Sequence, residues 1–212
     1  MASDLRPLFE PKGVVVTGVS AHPGKFGFVA LHNILACGYT GPVFAVGREK
    51  GTVLDRPVLA SVDAVPDGAA ELLVLCTPVA ANAEIVRSAA ARGVRAVFCA
   101  AGGYSEAGPD GAEAEDQLVA LADELGIVLA GPNGQGVVST PVGLCAQIVA
   151  PFPTAGRIAV VSQSGNFVSS FLNYANQTGV GISRAVSAGN AAAIGVADYL
   201  EWFADDPETE VA

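Results

Sequence analysis

Positive charge is scarce in this 212-residue sequence, which has 11 lysines and arginines against 21 acidic residues and a formal net charge of −10. A nucleic-acid partner requires a basic face, so this balance argues against one. An acidic protein can still bind a phosphorylated ligand through a few well-placed cations. The position of each lysine and arginine therefore helps to locate a binding site for such a ligand.

Long apolar runs and metal-ligand spacings are also missing. Although 51% of the residues are hydrophobic, no stretch reaches the roughly 18 uninterrupted apolar residues of a membrane span. Residues 1–10 contain no apolar signal region, and we expect a cytoplasmic protein with no membrane or metal partner. The cysteines form no Cys-x-x-Cys pair, which favours buried, reduced thiols. They are Cys37, Cys76, Cys99 and Cys145.

Short apolar runs alternate with alanine-rich segments through the first two thirds of the chain. Continuous apolar runs are typical of parallel strands that are covered on both faces, and this alternation indicates a doubly wound α/β fold. The predicted strands are 13–17, 43–46, 72–76, 96–100 and 127–130, and the predicted helices are 26–37, 80–92 and 111–125. We assign residues 1–138 to one Rossmann-like domain.

A second α/β unit is predicted at 156–212, after a proline-bearing linker at 139–155. Its predicted strands are 157–161 and 181–186, its helices are 166–177 and 194–203, and a third strand is expected to start at 209–212. Two or three parallel strands leave an unpaired edge and little core. We therefore expect either a truncated domain or a sheet that a partner chain completes.

Residues 18–27, named here the first turn, follow the first predicted strand. Helix N-termini present free backbone N–H groups and a positive dipole end, so they hold phosphates. The match to Gly-x-Gly-x-x-Gly is incomplete, because Ser20 occupies the position of a glycine. A lone glycine turn can also serve packing alone.

The end of the second predicted strand narrows the choice of ligand. NAD-binding units usually place an acid there to hold a ribose hydroxyl, whereas this chain reads Arg48-Glu49-Lys50. Arg48 and Lys50 suit an additional phosphate on the ribose, as in NADP or coenzyme A. Glu49 is expected to be a solvated surface charge.

Three further turns follow predicted strands. Pro78, after Thr77, either caps the next helix or holds the strand end open beside a ligand. The glycine, proline and asparagine residues at 131–136 are explained by turn formation alone, yet this turn lies at the carboxyl ends of the strands, where α/β sheets bind ligands. Residues 162–166, named here the second turn, open the second unit's first helix. Ser164 is its expected N-cap, and hydroxyls beside free N–H groups make an anion site, although a plain cap remains the alternative.

Several different short motifs follow one another along nearly the whole chain, in an order and with a spacing that are typical of one protein family. They are Gly18-Val19-Ser20 with Pro23-Gly24-Lys25 and Gly27, Gly41-Pro42-Val43, Thr77-Pro78, Gly131-Pro132-Asn133-Gly134 with Gly136, Ser162-Gln163-Ser164-Gly165, Gly189-Asn190, and Leu200-Glu201 with Asp205-Asp206-Pro207-Glu208-Thr209. This set resembles the CoA-binding subunit of succinyl-CoA synthetase. It is still more similar to the nucleoside-diphosphate-forming acyl-CoA synthetases of the ADP-forming acetate–CoA ligase type.

The resemblance implies a CoA-binding Rossmann-like domain followed by a partial flavodoxin-like doubly wound domain. It implies an acid–thiol ligase in which a small carboxylic acid, CoA and ATP give acyl-CoA, ADP and phosphate through an acyl phosphate and a phosphohistidine. ATP and Mg²⁺ would be held by a separate ATP-grasp domain or subunit, and an oligomer is expected. The family's histidine lies well beyond Glu201, so we expect the 212 residues alone to be inactive.

Site residues follow from the turns and the resemblance together. CoA binding is assigned to Gly18, Val19, Ser20, Lys25, Gly27, Arg48, Lys50, Thr77, Pro78 and Asn133. The helix N-terminus that receives the phosphoryl group is assigned to Ser162, Ser164, Gly165 and Asn166, and the carboxylate that orients the histidine to Glu201. His22, in the first turn, and His32, expected to be partly buried, are not placed to be the phosphohistidine. Relatives are also expected to carry an acid near Ala193.

Two other functions remain alternatives. A stand-alone CoA-binding or regulatory module is compatible with the missing histidine. An NADP-dependent oxidoreductase is compatible with Arg48 and Lys50, but the sequence contains no Tyr-x-x-x-Lys constellation.

Overall fold

A computed structural model describes residues 4–149 and 152–212. Residues 1–3 and 150–151, which belong to the predicted first domain and linker, lie outside the described residues. The first sheet has seven strands in the order β3-β4-β2-β1-β5-β6-β7, and its neighbours are parallel except for the β3–β4 pair. The strands are β1 (Val14–Val16), β2 (Val43–Val46), β3 (Thr52–Val53), β4 (Arg56–Leu59), β5 (Leu72–Leu75), β6 (Ala96–Cys99) and β7 (Val128–Ala130). The predicted α/β fold is confirmed.

Helices cover both faces of this sheet, which explains why its strands are apolar throughout. Within β1, Val14 and Val16 face a core formed with α1 and α2, whereas Val15 faces a core formed with α3 and α4. Among the described residues, no helix is both long and apolar enough to cross a bilayer. The α-helices of the described part of the chain are α1 (Arg6–Phe9), α2 (Phe26–Ala36), α3 (Val79–Ala91), α4 (Pro109–Leu125), α5 (Gly165–Thr178) and α6 (Val196–Asp205).

The second sheet differs from the predicted set of parallel strands. Its order is β10-β11-β8-β9; β10 and β11 are parallel, while β8 and β9 add an antiparallel hairpin beside β11. Part of the segment predicted as a linker, 139–155, forms strand, because β9 and the end of β8 lie within it. Near the expected third strand, Val211 forms a single parallel bridge to Ile158. The strands are β8 (Gly136–Ser139), β9 (Leu144–Gln147), β10 (Ala155–Ser162) and β11 (Ile182–Ser187).

The two sheets share one apolar core and one helix. Phe9 of α1 and Tyr199 of α6 belong to the same buried cluster as residues of both sheets. Helix α2 follows β1 of the first sheet but also reaches β9, where Asn33 Nδ2 donates to the carbonyl of Gln147 (2.8 Å). The N-terminus of α2 thus belongs to the first sheet and its C-terminal half to the second.

The hydroxyl of Tyr199 is buried and has no hydrogen-bond partner in the described part of the chain. A buried unsatisfied polar group costs free energy, so we expect Tyr199→Phe to raise the free energy of unfolding by about 1 kcal/mol. Tyr39→Phe is the matched control, because the Tyr39 hydroxyl donates to the Pro11 carbonyl (2.6 Å), and it should lower stability by about 1 kcal/mol. Urea unfolding measures both changes. Equal destabilisation by the two variants would contradict the assignment.

Candidate functional site

Three of the predicted turns, at 18–27, 77–78 and 131–136, lie at one edge of the first sheet, where the parallel strands β2, β1, β5, β6 and β7 all end. The winding reverses between β1 and β5, and ligands of open α/β sheets bind at such a reversal. There Gly18 adopts φ +69°, and a Cβ on it would lie 2.4 Å from the carbonyl oxygen of Cys76. Only glycine fits between these two strand ends.

The first turn is held by its own hydrogen bonds. His22 Nδ1 accepts from the amide of Gly24 (3.0 Å), and the amide of Lys25 donates to the His22 carbonyl (3.1 Å). Lys25 is the N-cap of α2 but provides no side-chain cap, and the amides of Phe26 and Gly27 have no acceptor among the described residues. The turn therefore presents a helix N-terminus that an anion can bind.

Two of the predicted CoA-binding residues shape this turn from inside. Val19 is 2% exposed and its amide donates to the Val46 carbonyl (3.0 Å). Gly27 is buried, and a Cβ there would lie 2.4 Å from the Gly18 carbonyl oxygen. They pack α2 closely onto β1, whereas Ser20 and Lys25 are more accessible.

The cations that lack an ion-pair partner are concentrated at the same edge. Of the 11 lysines and arginines, five pair with carboxylates in the described chain: Arg6, Lys12, Arg92, Arg157 and Arg184. Three of the other six, Lys25, Arg48 and Lys50, lie in the first turn or directly after β2, and all three are exposed. A locally positive patch thus exists on an acidic protein.

Glu49 is not only the solvated surface charge that the sequence predicted, because it also bonds to the first turn. It is exposed, yet its Oε2 accepts a hydrogen bond from the amide of Ala21 (2.8 Å) in the first turn. A carboxylate of the protein therefore occupies one backbone donor of the first turn.

A series of hydrogen-bonded side chains fixes the end of β5, and the sequence did not predict it. Pro78 is the N-cap of α3, which agrees with its capping role. The Asn82 amide lies 2.7 Å from both Thr77 Oγ1 and the Tyr104 hydroxyl; with its nitrogen toward Thr77, it also donates to the Pro78 carbonyl (3.2 Å). Burial raises the pKa of Tyr104, so its hydroxyl stays protonated and donates to the Asn82 oxygen.

The 131–136 turn connects the first sheet to the second. Asn133, exposed with φ +59°, donates through Nδ2 to Asn190 Oδ1 (3.3 Å). Asn190 Nδ2 in turn donates to Glu106 Oε2 and to Glu115 Oε2, each at 2.7 Å. Burial acts to raise the pKa of Glu106, but hydrogen bonds from Asn190 and the amide of Gly103 outweigh it and hold that pKa below its usual value.

The second turn has the predicted N-cap. Ser164 Oγ accepts from the amide of Phe167 (3.3 Å), and Ser162 Oγ accepts from the amide of Ser164 (3.1 Å). The amides of Gly165 and Asn166 have no acceptor in the described chain, so two donors at the N-terminus of α5 remain available for an anion.

Gln135 connects the 131–136 turn to the second turn, and the sequence did not predict this role. It accepts from Ser169 Oγ (2.7 Å) through Oε1 and donates to Asn166 Oδ1 (3.3 Å) through Nε2. A Cβ on Gly165 would lie 2.2 Å from Gln135 Cδ, so this glycine lets the side chain cross the N-terminus of α5. The only sequence signal was the position of Gln135 inside a glycine-rich turn.

Glu201 and His32 stand apart from these contacts. Glu201 lies on the exposed side of α6 and makes no hydrogen bond or ion pair within the described chain. His32 was expected to be partly buried, but it is exposed, with its ring stacked on Phe28 at 6.5 Å. The expectation was wrong because the buried face of α2 turns Asn33 and Ile34 inward instead.

Comparison with known families identifies both units. Residues 12–140 match the family described as CoA binding domain, and residues 155–212 match the succinyl-CoA ligase like flavodoxin domain. The chain belongs to the CoA-binding-domain family. The resemblance read from the turns is thereby confirmed, as is the order of the two domain types.

Known relatives extend the match along the chain. Acetate–CoA ligase [ADP-forming] I of Archaeoglobus fulgidus is 34% identical over 204 residues, which cover 96% of this chain and 29% of that protein. The alpha subunit of acetate–CoA ligase [ADP-forming] I of Pyrococcus furiosus is 34% identical over 209 residues, or 97% of this chain and 45% of the relative. The chain is homologous to such alpha subunits and spans less than half the length of either relative.

A solved structure has the same arrangement of both units. The dinucleotide-forming acetyl-coenzyme A synthetase 1 of Ca. Korarchaeum cryptofilum, in complex with phosphate and ADP, superposes with a TM-score of 0.92 at 30% identity. The alignment covers 99% of this chain and 45% of that one.

Proposed function

We propose that this chain is the CoA-binding part of an acyl-CoA synthetase that forms a nucleoside diphosphate. The observation that carries the proposal is the grouping of Lys25, Arg48 and Lys50, which have no ion-pair partner in the described chain, beside the uncapped N-terminus of α2. CoA carries a 3′-phosphate and a pyrophosphate, and both need cations and backbone N–H groups. The family match to a CoA binding domain supports this choice over NADP.

Each group has a distinct part in this proposal. Lys50 and Arg48 hold the 3′-phosphate, and the N-terminus of α2 with Lys25 holds the pyrophosphate. Thr77, fixed by Asn82, and Asn133, fixed by Asn190, line the path of the pantetheine along the sheet edge. The cofactor then points toward the 131–136 turn.

The second turn serves phosphoryl transfer in the same proposal. The free amides of Gly165 and Asn166, with the hydroxyls of Ser162 and Ser164, stabilise the negative charge of a phosphoryl group. The family mechanism supplies the acyl phosphate, the phosphohistidine and an ATP-grasp partner that binds ATP and Mg²⁺, and Glu201 orients the histidine. The net reaction joins a carboxylic acid to CoA and releases ADP and phosphate. A CoA-binding module without chemistry is the alternative.

Calorimetric titration of the purified chain with CoA, dephospho-CoA and NADPH tests the proposal. CoA should bind most tightly, and Lys50→Ala should weaken CoA binding about tenfold while changing dephospho-CoA binding less than about twofold, because only CoA has the 3′-phosphate. Arg87→Ala is the control, since Arg87 is an exposed cation on α3, away from the first turn. Tighter binding of NADPH than of CoA would overturn the proposal.

Removing the charge of Glu49 is expected to strengthen CoA binding. Glu49→Gln keeps a carbonyl oxygen for the Ala21 amide but removes a negative charge from beside the phosphates. The expected gain is about two- to fivefold at low ionic strength, and it should shrink as salt is added. Glu84→Gln, an exposed charge change on α3, should have no effect. Weaker binding by Glu49→Gln would instead show that this carboxylate contacts the cofactor directly.

A further inference from the structure

Two cysteines from distant parts of the chain meet between α2 and β9. Cys37 is the C-cap of α2 and is partly buried, whereas Cys145 lies in β9 and is fully buried. Both are free thiols, and Cys37 packs against the apolar cluster to which the buried Cys145 belongs. The sequence predicted buried, reduced thiols; Cys37 is only partly buried, and its position beside the cluster of Cys145 is a finding of the fold.

Contacts between α2 and the residues on either side of Cys145 fix the position of Cys37 relative to β9. One turn before Cys37, Asn33 Nδ2 donates to the Gln147 carbonyl (2.8 Å). A Cβ on Gly143 would lie 3.3 Å from the Cys37 carbonyl oxygen. Cys145 lies midway between Gly143 and Gln147, so the C-terminus of α2 is anchored on either side of it.

The two thiols are chemically unequal. The hydrogen bond from Cys145 lowers the pKa of Cys37 and outweighs its partial burial, whereas burial raises the pKa of Cys145. Thiolates are the reactive form of cysteine. An accessible cysteine of lowered pKa beside a second thiol is the arrangement found in redox-sensing pairs.

The other two cysteines lack this arrangement, although they end neighbouring strands. Cys99 belongs to the core beneath α3 and α4, whereas Cys76 packs against the core on the opposite face of the sheet. Burial raises the pKa of both to about 12. They serve as an internal control.

We propose that Cys37 and Cys145 are a redox-modification site that forms a reversible disulfide on exposure to hydrogen peroxide. The Cys37 thiolate attacks one peroxide oxygen; an S–O bond forms, the O–O bond breaks and hydroxide leaves. The Cys145 sulfur then attacks the sulfenic sulfur, forming the S–S bond. The departing hydroxide takes the Cys145 proton as water, so two thiols and one peroxide give one disulfide and two waters. A thiol reductant reverses the reaction.

This disulfide would cross-link the two units of the chain. Helix α2 begins at the first turn, and β9 is the edge strand of the second sheet. Such a bond closes a loop of roughly 100 residues and restricts the unfolded chain strongly. The oxidised chain should therefore be more resistant to heat than the reduced one, and α2 should be fixed to the second sheet.

Intact mass and peptide mapping of the full chain after peroxide treatment test the proposal. Wild type should lose about 2 Da, yield a peptide pair linking Cys37 to Cys145, and regain the mass with dithiothreitol. Its thermal midpoint should rise by roughly 5–15 °C. Cys37→Ser and Cys145→Ser should show neither change, whereas Cys76→Ser/Cys99→Ser should show both. Oxygen addition at Cys37 with Cys145 unmodified, or a disulfide through Cys76 or Cys99, would overturn the proposal.

Discussion

Arg184→Met is expected to lower the free energy of unfolding by about 3–5 kcal/mol, because it leaves the buried carboxylate of Asp206 without its cation. Arg184 is fully buried, and its Nε and NH2 donate to the two carboxylate oxygens of Asp206 at 2.9 and 3.1 Å. NH2 also donates to Glu10 (2.5 Å), and NH1 donates to Ser139 Oγ. The Asp206 side chain is only 2% exposed, so water cannot replace the lost partner.

This one arginine ties together elements that are far apart in sequence. Glu10 follows α1, Ser139 ends β8 and Asp206 follows α6. The guanidinium also lies 6.0 Å from the ring centroid of Phe9 and 5.6 Å from that of Trp202. Such aromatic faces attract a cation when solvent is excluded. The N-terminal segment is therefore fastened to the second unit through Arg184.

The matched control is Arg157→Met, which removes an exposed arginine that pairs with Glu208 and Glu210. Exposed pairs contribute little, so its cost should stay below about 1 kcal/mol. Arg184→Met/Asp206→Leu should recover part of the loss, since it removes the stranded charge as well. Chemical denaturation compares all three. Similar losses for the two single variants would contradict the role given to Arg184.

The same cluster makes stability depend on acidity. Burial acts to raise the pKa of Asp206, but hydrogen bonds from Arg184 and Thr209 outweigh it and hold the pKa below its usual value. A group of this kind contributes fully above its unfolded pKa, and the contribution is lost as pH falls through the folded value. Wild type should therefore lose this contribution below about pH 4. In Arg184→Met this acid-induced loss should be absent, because burial without the cation raises the pKa of the Asp206 carboxyl and removes the contribution.

The first sheet was predictable because its strands obey a single rule. Val14–Val16 and Leu72–Leu75 are apolar at every position, as burial on both faces requires. The β3–β4 hairpin obeys no such rule. Its turn places Leu54 and Asp55 at φ 50° and 60°, where a glycine or asparagine would have signalled a hairpin. Asp55 is a residue that such turns accept, but Leu54 beside it gives no turn signal, so the pair did not predict a hairpin.

The β8–β9 hairpin was missed for a different reason. Each strand has four residues, and Pro141 with Gly143 stands between them, a pattern that also describes a loop. Only pairing with β11 makes these segments strands, and that contact is not local in sequence. The linker predicted there followed from the prolines alone.

The candidate site also has parts that the sequence predicted and parts that only the structure revealed. The turns at Gly18 and Ser164 were predictable because a strand end, a glycine and a helix cap are local signals. The contacts of Asn82 with Tyr104, of Gln135 with Ser169 and of Asn190 with Asn133 were not, because these partners are far apart in sequence and are brought together only by the fold. Asn190, for example, lies 57 positions from Asn133 and 84 from Glu106. The local turns were read from the sequence, and the side chains that fix them were found in the structure.

Asn190→Asp is expected to lower the free energy of unfolding by about 2–4 kcal/mol by breaking a contact between the two units. In the wild type, Asn190 Nδ2 is the donor shared by Glu106 and Glu115, each at 2.7 Å. Aspartate removes both donor hydrogens and adds a third carboxylate with no cation beside it. Asn133 also loses a neutral partner, so the 131–136 turn should loosen.

Two comparisons separate repulsion from the simple loss of a hydrogen bond. Asn173→Asp makes the same charge change on the exposed face of α5, and it should cost less than about 0.5 kcal/mol. Asn190→Ala removes the donor without adding charge, so its cost should lie between the two. The excess cost of Asn190→Asp should also fall as pH is lowered, because one protonated carboxyl restores a donor to the cluster. Equal and pH-independent costs for Asn190→Ala and Asn190→Asp would show that the amide matters only as a donor, and that the acidic pair does not govern the contact.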